Sequence, residues 1–175
     1  MSENNKIRCQ DGEVFTIGGM EFIKFPSKDG RTPVVMKDIA FHSRFGKNNN
    51  LHESEVLKRM QMEVLPKIID DVGEENVCEF ETDLTTWDGL RPYTPVRSRI
   101  SLPTMDFYRE NAEIFGKNKP NRWWWLATPD SALPNSEPDL VLCVSPSGYL
   151  FNVYCDYDDI GVRPFCILNS NIFES

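Results

Sequence analysis

Apolar and polar residues alternate from Met20 to Phe25, where Met20 and Phe22 are set against Glu21 and Lys24. The run Glu13–Ile17 precedes it across Gly18-Gly19. Successive side chains of a strand point to opposite faces, so this pattern predicts two short strands about a Gly-Gly turn. Residues 26–30 carry turn chemistry, and Val34-Val35-Met36 predicts another short strand. Asn48-Asn49-Asn50 reads as a polar loop. From Glu53 to Ile69 the period changes: Val56, Leu57, Met60, Val64, Leu65 and Ile68 fall at helical spacing, opposite Glu55, Lys58, Arg59 and Glu63. Pro66 predicts a kink or an end within this helix, and Gly73 closes the region.

Residues 74–95 read as loop, with turn signals at Asp88-Gly89 and Pro92. Residues 99–102 suggest a short strand, and Thr104 is placed to cap a helix running to about Phe115, with Gly116 as its stop. Four strand-like segments follow, over residues 122–127, 140–145, 149–155 and 162–168. The first contains Trp123-Trp124-Trp125. Each indole can bury roughly 150 Å² or more, so all three rings are expected in the core. Trp124 would face one side and Trp123 and Trp125 the other, which marks a central strand. Two helices among many short strands predict an α+β fold, and a length of 175 residues suits a single domain over 1–175.

Composition adds limits. The chain is 40% hydrophobic and 26% charged, as ordinary globular proteins are. No apolar run reaches the ~18 residues of a membrane span, and the first residues lack the apolar core of a signal peptide, so a cytoplasmic place is expected. Cys9, Cys78, Cys143, Cys155 and Cys166 are widely spaced and only His42 and His52 accompany them, which predicts free thiols and no zinc site. Net charge is −8, and it is uneven: residues 1–49 hold eight basic and six acidic side chains, whereas residues 50–175 hold eleven and twenty-one. Such a surface repels a phosphate backbone and attracts a basic protein.

Candidate chemistry is sparse. Seven carboxylates fall between Asp70 and Asp83 with no basic residue among them, and Glu74, Glu75, Glu79, Glu81 and Asp83 are candidate contacts for a basic partner. A solvated surface loop is the plainer account of such a run. Asp156, Asp158 and Asp159 precede Gly161 as in a calcium loop, but the twelfth position counted from Asp156 is Ile167, where an EF-hand requires glutamate. Glu137-Pro138-Asp139 is akin to the sugar-holding triplet of calcium-dependent lectins, without the Trp-Asn-Asp that accompanies it there. His42 and His52 have no triad company, and Gly18-Gly19 lacks the Lys-Ser/Thr of a phosphate loop. Arg163, between Val162 and Pro164, is expected in or beside the core, held by carboxylates or carbonyls. No catalytic residue, cofactor or metal is assigned.

Trp124-Trp-Leu-Ala-Thr-Pro129, Ser147-Gly148 and Gly161-Val-Arg-Pro-Phe-Cys-Ile-Leu168, with Thr82–Thr86, Asp88-Gly-Leu90, Ile100-Ser-Leu102 and Tyr108-Arg109 before them, resemble a family of unknown function common in phages and prophages of Gram-positive bacteria. The likeness runs over about residues 53–172. That family is distantly similar to the formylglycine-generating-enzyme and C-type-lectin-like folds, where a Trp-rich strand and a closing Gly-x-Arg strand share a small irregular antiparallel sheet. The resemblance implies that the early strand at Met20–Phe25 pairs near the carboxy-terminal strand and brings the termini together, with Trp123, Trp124, Trp125, Arg163 and Pro164 as scaffold. No matching cysteine pair precedes Gly161, so catalysis does not carry over. The expected function is a non-enzymatic protein-binding module of phage or prophage origin, binding through the loops that hold Asp130, Glu137, Asp139, Asp156, Asp158 and Asp159. Its roles could be inhibition of a host defence or nucleic-acid enzyme, or receptor recognition on a virion. A metal-assisted hydrolase with a carboxylate site is the enzymatic alternative.

Overall fold

The computed structural model describes residues 5–131 and 139–175. The fold is α+β, and two sheets carry most of it. β1 (Val14–Ile17), β2 (Met20–Lys24) and β3 (Arg31–Met36) form an antiparallel meander. Gly18 and Gly19 both have positive φ at the β1–β2 turn, as the Gly-Gly pair predicted. The second sheet has the order β4-β10-β7-β8-β9. These strands are β4 (Phe41–His42), β7 (Trp124–Pro129), β8 (Leu140–Val144), β9 (Leu150–Tyr154) and β10 (Gly161–Val162). β11 (Phe165–Asn169) completes the first sheet beside β3.

The helix around Pro66 continues past it instead of ending. Its first part, α1 (Glu55–Arg59), is capped by the Ser54 hydroxyl, which accepts from the Leu57 N–H at 3.2 Å. A π-helical segment (Met60–Val64) then widens the coil, and the Leu65 N–H bonds the Met60 carbonyl five residues back. Pro66 therefore enters in the first turn of α2 (Leu65–Val72), where its missing N–H and its ring are tolerated. The second helical region is likewise divided. α3 (Met105–Glu110) is capped by Thr104, breaks at Asn111, and resumes as α4 (Ala112–Gly116).

Strand alternation sends side chains of both sheets into two buried clusters. Phe22, Val34 and Cys166 join Trp125, Ala127 and Cys143 in one, with Val56, Met60, Val64 and Ile68 from the first helical region. Ile23, Val35 and Phe165 join Trp124, Leu126 and Leu142 in the other, with Met105 and Phe115 from the second. Trp124 and Trp125 thus occupy opposite faces of the central strand β7. Trp124 stacks on Phe115 at 5.7 Å, and the Trp125 indole N–H donates to the Ser43 carbonyl at 2.8 Å. Trp123 departs from the expectation of three covered rings. It precedes the strand, is 36% exposed, and meets the edge of Phe151 at 5.2 Å.

The Val162–Leu168 segment also differs from the single strand its composition predicted. β10 lies in one sheet and β11 in the other, with Arg163-Pro164 between them. β3 and β4 make the same passage in the opposite direction, so residues 31–42 and 161–169 run side by side across both sheets. At the crossing the buried Arg163 donates to the carbonyls of Met36 (3.0 Å), Lys37 (2.9 Å) and Asn118 (3.2 Å). Its guanidinium lies 4.6 Å from the Trp124 ring centre. Burial pulls its pKa down to about 10, with Asp38 opposing, which leaves it a cation at neutral pH. Gly161 is required here because a Cβ would stand 2.5 Å from the Ile39 side chain.

The region read as loop over residues 74–95 contains a strand. β5 (Phe80–Thr82) pairs with β6 (Val96–Ser98), which also moves the strand expected at 99–102 three residues earlier. Near the two ends of the described chain, Ile7 forms a parallel bridge with Phe173. The closing β11 is separated from the early strand β2 by β3.

Replacing Trp124 by Ala should cost about 3–5 kcal/mol, whereas Trp123→Ala should cost under about 1 kcal/mol, both read by urea unfolding. Equal losses would refute the opposite placement of the two rings. Arg163→Met should cost about 3 kcal/mol or more, since it strands buried carbonyls; an unchanged midpoint would show that the crossing does not need them.

Candidate functional site

β8 and β9 form a hairpin in register from Leu140 opposite Tyr154 to Val144 opposite Leu150. The Ser145 N–H donates to the Tyr149 carbonyl at 2.9 Å, and the Cys155 N–H donates to the Asp139 carbonyl at 2.6 Å. These bonds fix the phase of the antiparallel ladder. Phe151 and Val153 spend their amides on β8, while Leu150, Asn152 and Tyr154 turn theirs toward the outer side. The Tyr154 carbonyl is taken by the Tyr157 N–H. Among the described residues no strand pairs with that outer side of β9.

Edges of natural sheets are blunted by lysine, proline, bulges or shortness. Residues 149–155 read Tyr-Leu-Phe-Asn-Val-Tyr-Cys, with no charge and no proline. Nine large hydrophobic side chains are exposed among the described residues, and Trp123, Tyr149, Leu150, Phe151, Tyr154 and Tyr157 are six of them. Six of the nine thus gather on or beside one strand instead of scattering singly over the surface.

The loop from β9 to β10 overhangs one face of this edge and is tied at both ends. The buried Cys155 carbonyl accepts from Phe45 and Gly46, the Ile160 carbonyl accepts from Ser43, and the Gly161 N–H donates to the Trp123 carbonyl. Between these anchors Tyr157 and Asp159 reach a cavity of about 640 Å³, walled on its other sides by Trp123, Val153 and Tyr154. A smaller cavity of about 250 Å³ lies against Leu150 and Asn152, between the exposed Trp87 and Asp130. Asp130 accepts from the Asn152 amide at 3.1 Å.

The expected acidic residues separate into two groups. Asp130 and Asp159 border the β9 edge, Asp139 and Asp156 share a hollow with Arg44 and Lys47 near Tyr154, and Asp158 is exposed in the same loop. Glu137 lies outside the described residues. The 74–83 group is elsewhere, around β5 and β6, and the absence of basic residues from that run does not hold in space. Arg99 pairs with Glu74 at 3.3 Å, Arg97 pairs with Glu79 at 3.3 Å, and Arg97 stands across the ladder from Glu81. Glu75 lies against Gly73 in the same turn. Asp83 accepts from the Thr85 hydroxyl and amide, which with Arg91 holds its carboxyl below the usual range.

The chain matches no family model, no curated protein and no solved structure. What it can do is therefore read from its own groups. Among the described residues no cluster of three or more His, Cys, Asp or Glu is placed to hold a metal ion, and no helix is long and apolar enough to cross a membrane. His52 is engaged by the Thr94 carbonyl at 2.7 Å, and burial pushes the Cys143 thiol up to about 12, away from nucleophilic use at neutral pH.

One residue that shapes the site carried no sequence signal of that role. Asn49, read as loop, is fully buried and donates to the carbonyls of Ser131 (3.0 Å) and Leu140 (3.3 Å) while accepting from Tyr93. It fixes the spacing between the end of β7 and the start of β8. A triple asparagine shows only polarity, and nothing local shows that the middle one is enclosed.

Converting Glu74, Glu75, Glu79 and Glu81 to Gln should change unfolding free energy by less than about 1 kcal/mol, since the ion pairs are solvent-exposed. A larger loss in urea titration would give those pairs a structural role.

Proposed function

We propose that the chain is a non-enzymatic protein-binding module that captures an extended segment of a partner by adding it to the outer side of β9. The observation that carries this is an uncharged outermost strand whose outward amides at Leu150 and Asn152 meet no strand among the described residues. Strand addition takes its affinity from such main-chain groups and its specificity from pockets for alternate side chains. β9 has a cavity against each face. The aromatic side chains provide large contact area at low entropic cost.

Charge selects the kind of segment. Asp130, Asp156, Asp158 and Asp159 rim the strand and the net charge is −8, which favours a basic partner and disfavours a nucleic-acid backbone. The Glu74–Asp83 carboxylates play a smaller part, because arginines already face Glu74, Glu79 and Glu81. Phage or prophage origin, action in the host cytoplasm and a C-type-lectin-like scaffold belong to the same proposal. The Trp-Trp-Leu and Gly-Val-Arg-Pro likeness supports origin and scaffold, and the adjacent termini add to the support for the scaffold.

Leu150→Pro tests it, because proline is accepted on an outer strand whose N–H faces solvent yet removes a donor and blocks close approach. In selection from a random peptide library, wild type should enrich extended sequences alternating apolar and basic residues. The variant, with an unchanged circular dichroism spectrum, should bind the selected peptides about tenfold or more weakly. No enrichment, or peptides indifferent to the substitution, would reject strand addition.

A further inference from the structure

The larger cavity beside β9 has a composition that specifies a ligand class. Three of its walls are aromatic: Trp123, Tyr154 and Tyr157. Val153 and Ile160 complete an apolar floor, and Asp159 is the one charged group among the described lining residues. Aromatic faces carry negative quadrupole density, and a cation gains most from them where a carboxylate adds to the field and little water competes. A neutral apolar ligand would leave Asp159 unanswered, and an anion would be repelled by it.

We propose that this cavity holds the ammonium head of a lysine side chain, methylated or not, with its alkyl stem against Val153 and Ile160. The proposal rests on the strand-addition reading for the chain that carries the lysine. Asn152, Val153 and Tyr154 both line the cavity and belong to β9, so a strand paired there presents its side chains at the mouth. At about 640 Å³ the space is within the range of pockets that enclose small ligands, larger than an ammonium group alone requires. The walls are set in advance, since the loop bearing Tyr157 and Asp159 is fastened through Cys155 and Ile160 and the Trp123 carbonyl accepts from Gly161. Binding therefore orders little, which matters for a ligand this small.

The test uses the full chain and small probes. N-acetyl-trimethyllysine amide is titrated by NMR against its isostere in which carbon replaces the quaternary nitrogen. The cation should bind saturably, with upfield-shifted methyl protons and a moving Trp123 indole resonance, and at least about tenfold more tightly than the isostere. Asp159→Asn and Tyr157→Leu should each weaken it severalfold. Leu150→Pro, which does not alter the lining, should leave probe binding unchanged while weakening peptide capture about tenfold or more. Equal binding of the isostere, no saturable binding, or indifference to both lining variants would overturn the cavity assignment. If Leu150→Pro weakens peptide capture while the probe fails, the cavity assignment falls and strand addition stands; the reverse pattern separates them the other way.

Discussion

The guanidinium of Arg163 lies where two chain segments pass together from one sheet to the other, and the geometry on either side depends on that passage. Residues 31–42 and 161–169 leave ordinary ladder pairing at the crossing, so carbonyls at Met36 and Lys37 would be buried without partners. One planar cation answers both, reaches the Asn118 carbonyl of the α4–β7 connection, and rests over Trp124. Gly161 yields room to Ile39 and Pro164 needs no N–H partner. The four-residue signature Gly-Val-Arg-Pro is thus a solution to one packing problem. Through β10 it positions β7 beside it, then β8, and finally β9 at the outside.

That lineage explains why the outermost strand can be apolar without being part of the core. β7 is covered on both faces and β8 is almost wholly buried, whereas β9 alternates between faces that are each only partly covered. The loop after it is fastened at its ends, and Tyr157 and Asp159 stand beside the edge between those anchors. A rigid frame with exposed aromatic and acidic groups at one border is an arrangement suited to recognition.

Much of the fold was legible where local pattern and tertiary environment agree. The Gly-Gly hairpin, the helical spacing from Glu53 to Ile69, the Thr104 cap and the opposite faces of Trp124 and Trp125 follow from periodicity and capping alone. Disagreement arose where the deciding partner is distant in sequence. β5 and β6 are three residues each and are visible only as a pair. Nothing within 162–168 shows that its halves belong to different sheets. Trp123 is chemically the twin of its neighbours, yet it precedes the strand and meets the rim. The carboxylates of 74–83 look unopposed until folding brings Arg97 and Arg99 to them. The candidate site was half visible: the loop acids Asp156, Asp158 and Asp159 stand out in the sequence, but the outermost place of β9 beside them depends on strand order, which no local pattern encodes.

The parallel bridge of Ile7 with Phe173 gives the molecule a mechanical property. The Ile7 N–H donates to Ile172 and the Glu174 N–H donates to Ile7, both at 2.8 Å, while Arg8 pairs with Glu174 alongside. Because the two strands run in the same direction, a force drawing the chain apart by its two ends loads both bonds together in shear, instead of peeling them one after the other. Resistance to such a pull is governed by the barrier to this rupture rather than by the free energy of the whole fold. Tension applied through the ends would thus reach the core only after the clasp gives way.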